Sequence, residues 1–253
     1  MSMLGRFLEF SVRSKDILES LAFYKALGFT ELAIGDVWKH KYVVVSDGDI
    51  CIGLHDREFG SPSLTFVHPD IARHSRAMAD HGFEFSVLRI DEDVFNELAF
   101  EDRDGHVVSL LEARTFSPPA DDMPGSTCGE WFETVLPVKD AMRTGRFWAP
   151  LTPVLLRIRE EPTMHMRFDA AGMPLGLSES IALKKPSLCF KCHDRELLSG
   201  AIERHGIKHQ DFPGFEGAFS ELVAPEGTRL YLFEEDFLGE PYIVEESGEY
   251  EAL

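Results

Sequence analysis

The sequence predicts an α+β fold of two similar tandem domains, built from four βαβββ units. Three observations carry this prediction: self-similarity at one fixed spacing, a recurring order of strand and helix patterns, and a segment rich in Pro and acidic residues midway along the 253 residues. A long repeat of this kind indicates two copies of one folded unit, each with a core of its own.

The self-similarity has a spacing of 124 residues. Because matched residues should occupy matched places in the two domains, each candidate position can be compared with its counterpart. The clearest matches are Phe7-Leu8-Glu9-Phe10 with Trp131-Phe132-Glu133-Thr134, Phe23-Tyr24 with Phe147-Trp148, Pro62-Ser63-Leu64 with Pro186-Ser187-Leu188, and His81-Gly82 with His205-Gly206.

The first copy begins with a strand pattern at 7–12, followed by helical spacing at 16–27 that Gly28 should end. Extended runs then flank the Asp47-Gly48 turn. The order restarts at residue 63, which gives the copy two βαβββ units. The predicted elements after the first helix are strands at 41–46, 49–55 and 63–67, a helix at 70–81, and strands at 94–100 and 106–112.

The second copy repeats the order. Its predicted elements are a strand at 131–138, a helix at 140–149, strands near 154–159, 165–169, 175–178 and 187–191, a helix at 194–205, and strands near 220–223 and 229–234. We therefore expect a first domain at 1–115, a linker at 116–128, a second domain at 129–238 and an acidic surface tail at 239–253. The Pro, Gly and Asp content of the middle segment is typical of a linker.

Composition limits the partners. The formal net charge of -19 disfavours binding to nucleic acid or to an anionic membrane surface. No stretch approaches the roughly 20 apolar residues of a membrane span. The four cysteines follow neither a zinc pattern nor a dense disulfide pattern, so we expect reduced thiols. These features predict a soluble, cytoplasmic protein.

Two segments resemble a known family: Ser20-Leu21-Ala22-Phe23-Tyr24-Lys25-Ala26-Leu27-Gly28-Phe29 in the first helix and Phe100-Glu101-Asp102-Arg103-Asp104-Gly105-His106 before the last strand of the first copy. They are similar to the vicinal oxygen chelate superfamily, which includes glyoxalase I, the bleomycin-resistance proteins and the extradiol dioxygenases. The resemblance covers nearly all of the chain outside the linker and tail. It implies two glyoxalase-like domains with cup-shaped mixed sheets, and a possible homodimer. It says little about activity, because one fold serves many functions.

The resemblance implies that, if the chain is an enzyme of this superfamily, a divalent metal lies inside a cup. Typical ligands are His or Gln on strand one, Glu on strand four, His at the start of strand five and Glu on strand eight. Strand alternation places Glu9 and His55 inside the first cup, and only Glu133 in the second. The remaining expected positions carry Ser63, Ser109, Ser187 and Tyr231. Since a tight catalytic site needs about three good protein ligands, we expect no metal and no cofactor.

Without a metal, the cups favour binding of a small organic molecule. Aromatic side chains beside a carboxylate suit a flat or cationic ligand. The alternative is a metal-dependent lyase, isomerase or ring-cleaving dioxygenase with a departed ligand set that includes Glu9 and His55. A third hypothesis is an interaction module whose cups are filled by side chains. The ligand-binding candidates are Phe7, Glu9, His55, Ser63, Thr65, Ser109, Trp131, Glu133, Ser187, Cys189 and Tyr231.

Several candidates have a second interpretation. Glu9 and Glu133 are ligand-binding carboxylates, solvated carboxylates at a strand edge, or partners of a neighbouring Arg. His55 is either a pocket acid or base, or a surface residue at a strand end. His165 and Arg167 either face the second cup and bind an anion, or form a polar outer face. The spacing of Cys189 and Cys192 is interpreted as incidental, because neither lies at a helix N-terminus.

Overall fold

The computed structural model describes residues 3–33, 40–91, 95–112, 123–151, 154–211 and 219–234. In the first half these form β1 (Arg6–Arg13), α1 (Ile17–Ala26), β2 (Thr30–Leu32), β3 (Tyr42–Ser46), β4 (Cys51–His55), β5 (Ser63–His68), α2 (Ile71–Asp80), β6 (Phe85–Arg89), β7 (Glu97–Glu101) and β8 (Val107–Glu112). In the second half they form β9 (Glu130–Pro137), α3 (Ala141–Trp148), β10 (Val154–Arg159), β11 (His165–Ala170), β12 (Met173–Ser178), β13 (Ser187–Cys192), α4 (Arg195–His205), β14 (His209–Asp211), β15 (Phe219–Val223) and β16 (Arg229–Glu234).

The strands form two eight-stranded sheets with the same topology. The first has the order β2-β3-β4-β1-β5-β8-β7-β6, and the second has the order β10-β11-β12-β9-β13-β16-β15-β14. In each sheet the first strand of the half pairs in parallel on one side and antiparallel on the other. The predicted α+β fold of four βαβββ units with mixed sheets is confirmed.

Each helix begins at an aspartate whose side chain accepts a hydrogen bond from the backbone N–H three residues on. The four aspartates are Asp16, Asp70, Asp140 and Asp194, with distances of 2.8 to 3.1 Å. This cap satisfies one of the free donors of the first turn. The repeated His-Gly pair marks helix ends as expected, with Gly82 at φ +84° and Gly206 at φ +62°.

One continuous core joins the two halves. Its buried residues include Phe10, Tyr24 and Phe66 from the first half and Trp148 and Leu175 from the second. We call the face of each sheet that is turned away from its two helices the first cup and the second cup, respectively. Ile52 and Leu54 lie in the core, so alternation turns their neighbours on β4 toward the first cup, as expected.

Two hydrogen bonds cross between the halves at equivalent positions, and we call them the exchange contacts. The Tyr24 hydroxyl on α1 donates to Glu226 Oε1 in the β15–β16 hairpin at 2.7 Å. The Trp148 indole on α3 donates to Asp102 Oδ2 in the β7–β8 hairpin at 3.2 Å. Tyr24 and Trp148 are 124 residues apart, and so are Asp102 and Glu226. A β-hairpin of each half therefore contacts a helix of the other half.

The proposed linker lies partly outside the described residues. Its described end, 123–128, packs against the first half, where Thr127 N–H donates to the Leu27 carbonyl at 2.8 Å and Cys128 is fully buried. The tail at 239–253 is outside the described residues, and the domain limits stay a prediction. No helix in the described part of the chain is long and apolar enough to cross a membrane.

Candidate binding cups

The same carboxylate position anchors both cups. Glu9 on β1 and Glu133 on β9 are 2% and 4% exposed. Each lies against a glycine of the neighbouring strand: a Cβ added to Gly53 would lie 2.1 Å from Glu9 Oε1, and one added to Gly176 would lie 2.5 Å from Glu133 Cδ. Glycine at these two positions, on β4 and on β12, thus leaves room for the carboxylate.

In the first cup, neighbouring side chains satisfy both oxygens of Glu9. Ser11 Oγ donates to Oε1 at 2.6 Å, His55 Nε2 lies 2.9 Å from Oε1, and the Tyr42 hydroxyl donates to Oε2. Thr65 Oγ1 lies 2.7 Å from Ser11 Oγ and extends the network. The solvated-edge interpretation of Glu9 is wrong, because this carboxylate is buried and hydrogen-bonded.

His55 is also buried rather than on the surface, with 4% exposure, so the surface interpretation is wrong. Its Nδ1 lies 3.1 Å from His40 Nε2, and its ring stacks on Tyr42 at 4.3 Å between centroids. Burial and the Arg57 guanidinium lower the pKa of His40. Sequence reasoning missed both Tyr42 and His40. The sequence signal was stronger for Tyr42, because this residue lies within a predicted strand and pairs with His55 in an antiparallel hairpin.

Replacing Tyr42 with phenylalanine should lower the free energy of unfolding by about 1–3 kcal/mol, because Glu9 Oε2 would lose a donor inside a buried site. Urea denaturation of the purified variant measures this loss. Tyr24→Phe is a comparison variant, because it also removes a hydroxyl that donates to a carboxylate, but in an exchange contact rather than in the cup. An unchanged midpoint for Tyr42→Phe would contradict the hydrogen bond as a stabilising contact.

Other predicted residues of the first cup lie together near its β5–β8 side. Ser63 Oγ and Ser109 Oγ are 2.8 Å apart, and Thr65 is opposite Ser109 in the parallel register. Phe7 is different, because a bulge between Phe7 and Glu9 breaks the alternation of β1.

The expected cup-facing direction of Phe7 and Trp131 is wrong. Phe7 packs against the shared core and Trp131 is part of it, and their rings stack on each other at 5.9 Å between centroids. A bulge in the β9–β13 pairing lies beside Trp131, matching the bulge in β1. The extra residue in each strand turns the aromatic ring from the cup to the junction between the halves.

In the second cup, the carboxylate meets basic groups. His165 Nε2 lies 3.0 Å from Glu133 Oε1, and Arg167 Nε lies 3.9 Å from it. His165 and Arg167 alternate on β11 with Met166 and Phe168, which lie in the core. The cup-facing interpretation of His165 and Arg167 is therefore confirmed, and so is the pairing of Glu133 with a nearby Arg. Whether they bind an anion is a separate question.

An aromatic cluster lies beside this carboxylate. Val135, Cys189 and Tyr231 are buried together, with partly exposed apolar side chains around them: Phe132, Leu183, Phe219 and Phe233. Burial, and next the charge of Glu133, raise the pKa of the Cys189 thiol. Burial, and next the charge of Glu221, raise the pKa of Tyr231. Both groups thus present neutral side chains at neutral pH.

The remaining candidates have structural contacts. Ser187 Oγ donates to the Lys185 carbonyl at 2.9 Å. Cys189 and Cys192 belong to separate clusters, because residues three apart in a strand point to opposite faces. Both are free thiols, which agrees with an incidental spacing.

The residues at the family's metal-ligand positions do not fit a divalent metal. Ser63 and Ser109 bond to each other, and Tyr231 stands where the strand-eight glutamate would lie. Glu9 already accepts hydrogen bonds at both oxygens. Within the described ranges, no three His, Cys, Asp or Glu residues are grouped so as to hold a metal ion.

Comparison with known proteins gives matches among solved structures. No family profile matches the sequence, and no curated protein matches it. A variant of homoprotocatechuate 2,3-dioxygenase from Brevibacterium fuscum is similar at TM-score 0.59 and 15% identity, over 95% of this chain and 74% of that one. The 2,3-dioxygenase LapB from Pseudomonas sp. KL28 is similar at TM-score 0.62 and 15% identity, over 97% and 96%. A catechol 2,3-dioxygenase is similar at TM-score 0.57 and 11% identity, over 90% and 87%.

Proposed function

We propose that this chain, which has the two-domain fold of the vicinal oxygen chelate superfamily, binds a small organic molecule without a catalytic metal. One observation carries the proposal: the partly exposed aromatic cluster beside Glu133 in the second cup. Sites for small ligands combine an apolar lining with a few polar groups that fix orientation. The second cup has both.

The two cups differ in which side chains remain available to contact a bound molecule. The polar groups of the first cup bond to one another, and Glu9, Ser11, His55, Ser63 and Thr65 are each less than 5% exposed. In the second cup, the side chains of Arg167 and Arg229 keep 33% of their surface exposed. A ligand would gain more contacts with exposed aromatic and polar groups than with a filled network. We therefore assign binding to the second cup first.

The three similar structures described above are named as 2,3-dioxygenases, which keeps an enzyme as the alternative. That alternative needs a different ligand set, because serines and a tyrosine stand at the superfamily's ligand positions. The close contact of Glu9 with His55 is the feature that favours it most. Binding is the better-supported function because the aromatic cluster can hold an organic molecule without any metal-coordinating side chain.

The same proposal covers the partners and the location of the chain. A formal net charge of -19 supports a small-molecule ligand rather than nucleic acid. The four free cysteines support a reducing compartment, and we propose the cytoplasm. A homodimer stays part of the proposal.

Metal analysis and ligand screening of the purified full chain test this function. We expect aromatic compounds to raise the melting temperature, equally with and without a chelator, since bound ligand stabilises the folded state. Phe219→Ala should weaken the best ligand about tenfold by removing a stacking surface. Phe95→Ala, which removes an exposed aromatic ring in the other half of the chain, is the matched control. Stoichiometric iron, zinc, nickel or manganese with metal-dependent turnover would reject the proposal.

A further inference from the structure

We propose that the second cup selects a planar aromatic anion, of which an aryl carboxylate is the simplest example. This inference rests on the proposed function and adds the ligand class. Its basis is the placement of two cationic side chains, Lys191 and Arg167, around the ring of Phe132, beside a stacked aromatic group.

The two cations meet at one ring. Lys191 Nζ and Arg167 Cζ each lie 5.9 Å from the centre of the Phe132 ring. Arg167 is held in place there, because its Nη2 donates to the Phe132 carbonyl at 2.6 Å. A cation over an aromatic face is stabilised without losing its charge, so both groups can still attract an anion.

The nearby carboxylates do not neutralise both cations. Glu133 is buried and is shared between His165 at 3.0 Å and Arg167 at 3.9 Å. Arg167 Nε has no hydrogen-bond partner among the described atoms. For Lys191, no described carboxylate lies within 4 Å of Nζ, and Glu130, opposite it in the pairing, lies 3.7 Å from His193 instead. Among the described residues, one positive charge thus remains without a counterion.

Arg229 does not add to this excess, because its guanidinium pairs with Glu221, whose hydrogen bond raises the pKa of Arg229. In a chain with a formal net charge of -19, the two cations gathered on one face of the second sheet have a local rather than a general role.

Flat rings next to these cations define the shape of the ligand. Phe219 stacks on Phe233 with 4.7 Å between centroids and on Tyr231 with 5.4 Å, at interplanar angles of 30° and 26°. A further planar ring stacks on parallel rings of this kind more readily than a branched group does. The anionic end of such a ligand would lie toward Lys191 and Arg167.

The first cup has no cation at the two positions that match Lys191 and Arg167. The counterpart of Lys191 at the 124-residue spacing is Val67. The residue opposite Gly53 in the pairing is Val44, where Arg167 lies opposite Gly176 in the second half. The two cups therefore differ in charge although they share topology, and the selection for anions belongs to the second one.

Three probes of the same size and different charge test the ligand class: 2-naphthoate, 2-naphthamide and 2-naphthylmethylammonium. Calorimetric titration of the full chain should give 2-naphthoate the lowest Kd, at least about tenfold below that of the amide, with the cation weakest. Raising the salt concentration should weaken the anion alone, because ions screen the attraction. Tighter binding of the cation, equal binding of all three, or binding of none would overturn the proposal.

Variants at two residues predict changes of opposite sign. Lys191→Gln keeps most of the aliphatic stem and should weaken 2-naphthoate about tenfold, whereas Glu133→Gln should tighten it by removing a buried negative charge. Arg146→Gln is the control, because it removes a positive charge from α3 on the other side of the same sheet. Circular dichroism of each variant verifies folding.

The outcomes separate this inference from the proposed function. If Lys191→Gln and Arg146→Gln change the affinity for 2-naphthoate equally, the second-cup cations do not select the ligand. If the amide or the cation binds best and Phe219→Ala weakens it, the proposed function stands and only the preference for anions fails. If no aromatic compound in the wider screen binds, both fail.

Discussion

Replacing Asp102 with alanine is expected to lower the free energy of unfolding by about 3–5 kcal/mol, because it leaves buried donors without an acceptor. The Asp102 side chain is fully buried. It accepts from the backbone N–H of Asp104 and His106 at 2.9 Å, from His106 Nδ1 at 2.9 Å and from the Trp148 indole at 3.2 Å. One substitution therefore opens the β7–β8 hairpin and an exchange contact together.

This contribution should depend on pH. Burial alone would raise the pKa of Asp102, but the hydrogen bonds and the charge of His106, with two backbone N–H groups, hold it below its ordinary value. A group with a depressed folded pKa stabilises the fold above its unfolded pKa, near 4, and loses that effect as the pH falls through the folded value. The difference in stability between the natural chain and Asp102→Asn should therefore narrow below about pH 4.

Urea denaturation followed by tryptophan fluorescence and by circular dichroism measures both effects. Glu101→Ala is the matched control, because it removes an exposed carboxylate from the neighbouring position and should change stability by less than about 0.5 kcal/mol. Equal losses for Asp102→Ala and Glu101→Ala would show that the exchange contact contributes nothing to stability.

Gly53→Ala is expected to cost about 2–4 kcal/mol, although alanine usually suits a strand better than glycine. The new Cβ would lie 2.1 Å from Glu9 Oε1, which is too close for any packing. A free glutamate could swing away, but this one is held by Ser11, Tyr42 and His55. Relief of the clash therefore breaks the buried network.

A double-mutant cycle isolates this clash. A Glu9→Ala background removes the three atoms nearest to the added methyl group, so Gly53→Ala should cost much less there than in the natural chain. Gly200→Ala on α4 is the control, because nothing lies within 4 Å of its added Cβ, and it should stabilise by about 0.5–1 kcal/mol. Equal costs of Gly53→Ala in both backgrounds would place the strain somewhere other than at Glu9.

The fold could be predicted because its main signals are a sequence repeat and local patterns at the ends of the helices. The repeat, the Asp caps and the His-Gly helix ends are visible in the sequence, and the structure contains each of them. The strands β2, β6 and β14 were not predicted. They are short or polar edge strands, and their residues are mostly exposed, so they lack the hydrophobic alternation that marks a buried strand.

The candidate site was predicted less completely because its geometry depends on register and distant partners. Glu9 and Glu133 could be assigned from alternation and repetition. Phe7 and Trp131 could not be, because a bulge changes the side of the sheet that a residue faces without a clear sequence signal. The burial of His55 comes from Glu9, which is 46 residues away in the chain.

The exchange contacts are equivalent in position but not in chemistry. One joins a phenol to the longer acid, Glu226, and the other joins an indole to the shorter acid, Asp102. If each hairpin contacted the helix of its own half, Asp102 would meet Tyr24 and Glu226 would meet Trp148. Each acid would then have the wrong length for its aromatic partner. Tandem copies of one sequence are prone to misassembly while they fold. We therefore expect the unequal pairs to favour the observed partners over partners within one half as the two copies assemble.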